Sequence, residues 1–93
     1  MFHRIWLRAK EKVRKRQYVM TYHARKEMNE DGLTIYDVER GILTGAIVER
    51  QKDDLTAEWK YRIVGKIIAG DDFEIIIKFS PTGKLVIVTV YLP

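Results

Sequence analysis

Residues 59–92 read WKYRIVGKIIAGDDFEIIIKFSPTGKLVIVTVYL, and they indicate the architecture of the whole chain. Alternating side chains occupy 59–69, 73–79 and 84–92, and the three runs are separated by Gly70-Asp71-Asp72 and by Ser80-Pro81-Thr82-Gly83. Alternation with a period of two is typical of β-strands with one buried face, and the separating residues are those that tight turns favour. The stretch therefore predicts three sequential antiparallel strands.

The segments before these strands have helical periodicity. Apolar residues recur at helical spacing over residues 2–16 and predict a first amphipathic helix; they are Phe2, Ile5, Trp6, Ala9 and Val13. Thr21 is the expected N-cap of a second helix that ends at Gly32. The sequence Thr34-Ile35-Tyr36-Asp37 has the capping pattern of a third helix, which ends at Gly45.

The order of these elements predicts the fold class. Residues 46–49 add a short strand before the alternating runs, so three helices precede four strands. This order is typical of an α+β domain in which N-terminal helices pack on a four-stranded, mostly antiparallel sheet. Residues 1–93 form a single domain in this interpretation, with residues 1–16 as an additional basic amphipathic helix.

Composition excludes several classes of protein. The chain has no cysteine, which excludes disulfide scaffolds and thiol nucleophiles, and a zinc site would have only His3, His23 and carboxylates to draw on. No apolar run approaches the roughly 20 residues that a membrane span needs. We therefore expect a soluble cytoplasmic domain with no metal, no cofactor and no membrane contact.

Charge is distributed unevenly along the chain. Residues 1–26 contain nine Lys or Arg and one acid, a balance of +8, whereas residues 27–93 contain eight Lys or Arg and twelve acids, a balance of −4. A basic segment on an acidic body often contacts nucleic acid or an acidic protein, although it can also be only a solvated surface. The expected nucleic-acid contacts are Arg4, Arg8, Lys12, Lys15, Arg25, Lys26 and Lys78.

Metal-free RNA cleavage is the chemistry that the remaining residues can best support. The 2′-hydroxyl of RNA is then the nucleophile, so the protein supplies a base, an acid and cations that stabilise the phosphorane. In this hypothesis His23 is the general acid or base and Arg62 and Lys66 bind phosphate. Thr89 and Tyr91, two residues apart on one strand face, orient the scissile group. The alternative is structural, because a histidine at a helix start is often a capping residue and Thr and Tyr are ordinary strand formers.

The chain also resembles a known family. The pattern Thr21-x-His23-Ala24-x-x-x-Met28 is followed by Gly32-Leu33-Thr34, Asp37-Val38-Glu39, Gly45, Gly65 and Ile87-Val88-Thr89-Val90-Tyr91. Over residues 18–92 this pattern resembles a family of small bacterial and archaeal proteins that is catalogued as a domain of unknown function. That family is similar to the RelE-, MqsR- and BrnT-like toxins. The resemblance implies a RelE-like fold and a metal-independent endoribonuclease of a type II toxin–antitoxin system, with RNA as substrate and a cognate antitoxin as partner.

Two positions depart from the family pattern. Arginine is usual before the methionine and before the glycine, where this chain has Glu27 and Asp31. A site of this kind would then depend on Arg25, Lys26, Arg62 and Lys66, or the fold is retained without catalysis. One alternative is a non-catalytic module whose basic first helix holds RNA or an acidic protein, and another is a subunit that docks on a partner through the stripe of Phe2 and Trp6. A homodimer is a separate candidate assembly.

Overall fold

The computed structural model describes residues 1–93, which form three helices and five strands. In chain order they are α1 (His3–Arg14), β1 (Tyr18–Met20), α2 (Tyr22–Glu30), α3 (Ile35–Thr44), β2 (Ala46–Lys52), β3 (Trp59–Lys66), β4 (Asp72–Phe79) and β5 (Leu85–Tyr91). The α+β prediction is confirmed. No helix combines the length and the apolar character that crossing a bilayer would require.

The sheet has five strands in the order β1-β5-β4-β3-β2, so the predicted count of four is wrong. The additional strand is β1, which pairs with β5 in parallel, with Tyr18 opposite Leu85 and Met20 opposite Ile87. Three residues are too few to show a period of two in a sequence. β2, β3, β4 and β5 form the expected antiparallel meander.

All three helices cover one face of the sheet, and the core lies between the two layers. The largest fully buried side chains on the strands are Phe73, Ile63, Ile75, Ile77, Leu85, Ile87 and Val90, and α3 adds Val38 and Ile42. Helix α3 comes close to β3 at two glycines: a Cβ atom on Gly65 would lie 2.9 Å from the Cα atom of Gly41. We call the other, uncovered side of the sheet the open face.

Two β-bulges interrupt the alternation of side chains. In β5, Thr89 pairs with Ile76 and Ile87 pairs with Ile77, so Val88 is an extra residue. Ile87 and Val90 are consequently both buried, although uninterrupted alternation would place them on opposite faces of β5. A second bulge lies in β2, where the register shifts between Ile47 and Glu49.

The predicted N-caps are confirmed. The Thr21 hydroxyl accepts from the Ala24 N–H at 3.1 Å and donates to the Val88 carbonyl at 3.0 Å, which joins the start of α2 to β5. Thr34 and Asp37 form a reciprocal capping box at the start of α3. These contacts fix both helices relative to the sheet.

Candidate functional site

Arg62 lies at the centre of the open face. It occupies β3, and its cross-strand neighbours are Glu49 on β2 and Ile76 on β4. Its guanidinium forms ion pairs with Glu49, at 3.4 Å, and with Glu74 on β4, and its side chain is 30% exposed. Glu49, Arg62 and Ile76 form one cross-strand row, and each of the two bulges lies at an end of it. Bulges are frequent beside functional sites because they redirect side chains.

Thr89 and Tyr91 extend this group onto β5. Thr89 pairs with Ile76, the neighbour of Arg62, while Tyr91 pairs with Glu74 and is 52% exposed. We refer to the side chains at this position as the open-face cluster: Glu49, Arg62, Glu74, Thr89 and Tyr91. One guanidinium and two carboxylates give the cluster a formal charge of −1. A phosphate could therefore reach Arg62 only by displacing a carboxylate.

The other cations of the open face are also paired with acids. Lys66 binds Asp72 at 2.7 Å, and Lys78 binds Glu58 at 3.2 Å. Lys60 binds Asp53 at 2.8 Å. Hydrogen bonds from Lys60 and from the N–H groups of Leu55 and Thr56 lower the pKa of Asp53 to about 2. The predicted phosphate ligands Lys66 and Lys78 are thus neutralised by nearby carboxylates.

His23 lies apart from this row, at the outer edge of β5. It is in the first turn of α2, and its Nε2 atom lies 3.2 Å from Glu27 Oε1, with 68% of the side chain exposed. The sequence predicts one cluster of His23 with Arg62 and Lys66. In the fold, His23 belongs to the helical layer, and Arg62 is on β3, two strand spacings or about 10 Å beyond β5.

Glu27 connects His23 to β5. The same Oε1 atom accepts a hydrogen bond from the backbone N–H of Val90 at 3.2 Å, and Val90 lies between Thr89 and Tyr91 in the chain. An arginine at this position has no acceptor for that N–H. Glu27 therefore has a structural role at this position, whereas Asp31 is only the exposed C-cap of α2.

The basic helix α1 differs from the open face because few of its charges are neutralised. Lys15, the C-cap of α1, pairs with Glu11 at 2.7 Å, and no cation within α1 forms an ion pair. Arg4 is exposed, while Arg8 stacks over the Phe79 ring at 4.0 Å. Of the predicted contacts on α2, Arg25 is exposed without an acidic partner and Lys26 lies 3.9 Å from Glu30.

Trp6 lies in the same helix but takes part in packing. Its Nε1 atom is buried without a hydrogen-bond partner, and Lys10 Nζ lies 3.8 Å from the ring centroid. With Phe2 and His3 it lines a cleft of about 280 Å³ against the start of β2. A stacking platform for RNA bases would require an uncovered ring face, so this position favours a structural role for Trp6.

Sequence reasoning missed two long-range polar contacts, the hydrogen bond from the Ile68 N–H to Asp37 and the one between Tyr18 and Glu39. Asp37 is buried and accepts from the Ile68 N–H at 2.8 Å and the Thr34 N–H at 2.9 Å. Although burial raises the pKa of Asp37, these hydrogen bonds outweigh it and hold the pKa below its usual value. Burial and a hydrogen bond to Glu39 raise the pKa of Tyr18 to about 12. Neither contact has a short-range sequence signal, because the partners lie 31 and 21 residues apart in the chain.

The acids of the open-face cluster were also missed, although a signal for them existed. Glu49 and Glu74 each stand at an outward position of a strand, as does Arg62 on the strand between them. The bulge in β2 brings Glu49 opposite Arg62. Nowhere in the chain do three His, Asp or Glu side chains come together as a set that could hold a metal ion.

Comparison with known proteins gives one match. The family model described as Domain of unknown function (DUF4258) matches residues 20–92, which include α2, α3 and strands β2 to β5 and exclude α1. No curated protein and no solved structure matches the chain.

Proposed function

The chain belongs to the family described as Domain of unknown function (DUF4258), and from that premise we propose that it is a toxin-like endoribonuclease that cleaves RNA without a metal ion. The open-face cluster is the observation that carries the proposal. One guanidinium, two carboxylates and two hydroxyls converge there from four neighbouring strands. These groups include every function that attack by a 2′-hydroxyl requires.

The proposed reaction begins when a phosphodiester displaces one carboxylate from the guanidinium of Arg62. Arg62 then stabilises the additional charge of the phosphorane. Thr89 and Tyr91 hydrogen-bond the phosphate oxygens. Tyr91 lies at the more exposed end of the cluster, where its hydroxyl can donate to the leaving 5′-oxygen.

Glu74 is the general base in this proposal, because it lies in the open-face cluster beside Tyr91, close to a phosphate bound at Arg62. His23 is the rival base. Its Nε2 atom faces Glu27, and its Nδ1 atom could accept the 2′-hydroxyl proton only if the scissile phosphate bound at the outer edge of β5 instead of at Arg62.

A cognate antitoxin protein is part of the same proposal. A toxin that cleaves cellular RNA needs a partner that blocks it, and the unneutralised cations of α1 favour an acidic one. The resemblance to RelE-like toxins supports this partner.

A second candidate is an RNA-binding domain without activity. It is favoured by the pairing of every open-face cation with a carboxylate, in contrast to the unpaired cations of α1. In that case RNA would bind along α1 and the open-face ion pairs would be structural.

Cleavage of single-stranded RNA in the presence of EDTA distinguishes the two candidates. We expect the native chain to cleave and Arg62→Ala to reduce the rate by about 100-fold or more, since the phosphorane loses its cation. Lys60→Ala is the matched control, because Lys60 is another ion-paired cation on β3. RNA binding that weakens steeply with salt, with no cleavage by the native chain, would favour the second candidate.

A further inference from the structure

A polar notch lies where the end of α1 meets the β4–β5 turn, away from the open-face cluster. Lys12, Gln17, Thr82 and Lys84 line it, and its volume is about 200 Å³. Lys84 directly precedes β5, whereas Tyr91 is the last residue of that strand. The notch and the open-face cluster are therefore separated by the length of β5, about 20 Å.

The cations of the notch lack acidic partners. Neither Lys12 nor Lys84 forms an ion pair, although Lys15, Lys60, Lys66 and Lys78 all do. The only side-chain contact of Lys12 Nζ is with the amide oxygen of Gln17, at 3.3 Å. No carboxylate lines the notch. Two ammonium groups in one small concavity repel each other, so an anion placed between them would be stabilised by both.

Backbone hydrogen bonds hold both sides of the notch in place. On the helix side, the Gln17 N–H donates to the Lys12 carbonyl at 2.8 Å, and the Leu85 N–H donates to the Gln17 carbonyl at 3.3 Å. On the turn side, the Lys84 N–H donates to the Ser80 hydroxyl at 3.0 Å, and the Ser80 N–H donates to the Lys84 carbonyl at 2.8 Å. The backbone on both sides of the notch is thus held in place before any ligand arrives.

Arg8 adds a third cation beside the notch. Its guanidinium stacks on Phe79, and one of its nitrogens lies 3.5 Å from the position that a Cβ atom of Gly83 would occupy. The turn therefore brings Gly83 close to Arg8. Arg8 and Lys12 are four residues apart on α1, on the same side of the helix as the turn.

We propose that this notch binds a phosphate group of single-stranded RNA, at a site separate from the open-face cluster. Two ammonium groups, a guanidinium, an amide and a hydroxyl can all donate to phosphate oxygens. A phosphodiester chain is a better ligand than a free phosphate here, because an open notch gains affinity from the further cations of α1. The site does not depend on catalysis.

Binding of 2′-O-methyl RNA tests the site, because this RNA has no free 2′-hydroxyl and cannot be cleaved by the proposed reaction. The dissociation constant is measured over a series of salt concentrations. We expect Lys84→Ala to reduce the slope of log K against log salt by about 0.7, the value for one phosphate contact to a single strand. Lys52→Ala, an exposed lysine on β2, is the matched control and should leave the slope unchanged.

NMR chemical shifts of the backbone amides provide a second measurement, and the variant used with it, Thr82→Val, leaves the charge of the protein unchanged. RNA should shift the amides of residues 80–84 and Gln17, and Thr82→Val should weaken binding by about tenfold, because it removes one hydrogen bond to a charged phosphate oxygen. Shifts at the same amides with inorganic phosphate alone would identify a free-phosphate site of the same chemistry. The proposal is overturned if neither titrant shifts these amides, or if Lys52→Ala lowers the slope as much as Lys84→Ala does.

Discussion

The carboxylate of Glu27 accepts a hydrogen bond from the backbone N–H of Val90 at 3.2 Å. β1 pairs with β5 only as far as Ile87, so the Val90 donor lies on a strand edge that no other strand covers. We expect Glu27→Ala to lower the free energy of unfolding by about 1 kcal/mol, because this donor loses its partner. Urea denaturation measures the loss, and hydrogen exchange of the Val90 amide should become faster.

Glu27→Gln is the matched variant, since it retains a side-chain oxygen at the same place and should leave Val90 protected. Glu30→Ala controls for the loss of a surface charge on α2. Its exposed ion pair with Lys26 should contribute less than about 1 kcal/mol. Equal exchange rates for Val90 in Glu27→Ala and in the native chain would show that this contact does not protect the strand edge.

Asp37 makes the stability of the chain dependent on pH. Burial raises the pKa of Asp37, but the hydrogen bonds from Ile68 and Thr34 lower it by a larger amount. The pKa in the folded chain therefore lies below the pKa in the unfolded chain. Its contribution is therefore present above the unfolded pKa of about 3.9 and is lost as pH falls through the folded pKa. At pH 7 we expect Asp37→Asn to cost about 2 kcal/mol of unfolding free energy, because the lost hydrogen bonds are charged.

Chemical denaturation at a series of pH values tests the expectation. The difference between the native chain and Asp37→Asn should narrow below about pH 4. Asp54→Asn is the control, because Asp54 is an exposed carboxylate in the loop between β2 and β3 and makes no side-chain hydrogen bond or ion pair. A difference for Asp37→Asn that stays constant down to pH 2 would be inconsistent with an ionised carboxylate as the acceptor.

Arg16 ends the first helix in a conformation that favours glycine. Its φ is 55°, and the N–H of Gln17 returns to the Lys12 carbonyl in the pattern of a Schellman motif. A non-glycine residue in the left-handed region of backbone conformation destabilises the folded chain by about 1 kcal/mol. Arg16→Gly should therefore raise the free energy of unfolding by up to that amount. Thermal denaturation measures the gain. Arg14→Gly, at the last helical residue, is the comparison. If it raised the free energy of unfolding equally, the stabilisation would come from the lost positive charge and not from the backbone conformation of Arg16.

The helix caps and the tight turns could be predicted from the sequence, because each depends on residues that are close together in the chain. The caps at Thr21 and Thr34 and the turns at Gly70 and Gly83 depend on residues within four positions of each other, and each was predicted from the sequence. β1 escaped prediction because three residues carry no period, and its pairing partner Leu85 is far along the chain. The bulge at Val88 was not predicted, because one extra residue inside an apolar strand leaves no recognisable pattern in the sequence.

The candidate site was harder to predict because it depends on register. Which acid faces Arg62 is decided by the pairing of β3 with β2 and β4 and by the bulge in β2, and the sequence fixes none of these locally. The sequence therefore identified the cations correctly as surface residues but not their neutralisation by Glu49, Glu74 and Asp72. Likewise, it located His23 at a helix start but not its attachment to β5 through Glu27.

The identity of the general base can be decided by comparing His23→Ala with Glu74→Gln. If His23 accepts the 2′-hydroxyl proton, His23→Ala should slow RNA cleavage by about 100- to 10,000-fold, while binding of 2′-O-methyl RNA stays unchanged. Free imidazole should restore part of the rate, because it supplies the missing base without the protein's geometry. Tyr22→Ala, at the exposed neighbouring position, controls for disturbance of the first turn of α2. Cleavage at the native rate in His23→Ala, together with a loss of that size in Glu74→Gln, would identify Glu74 on the open face as the base.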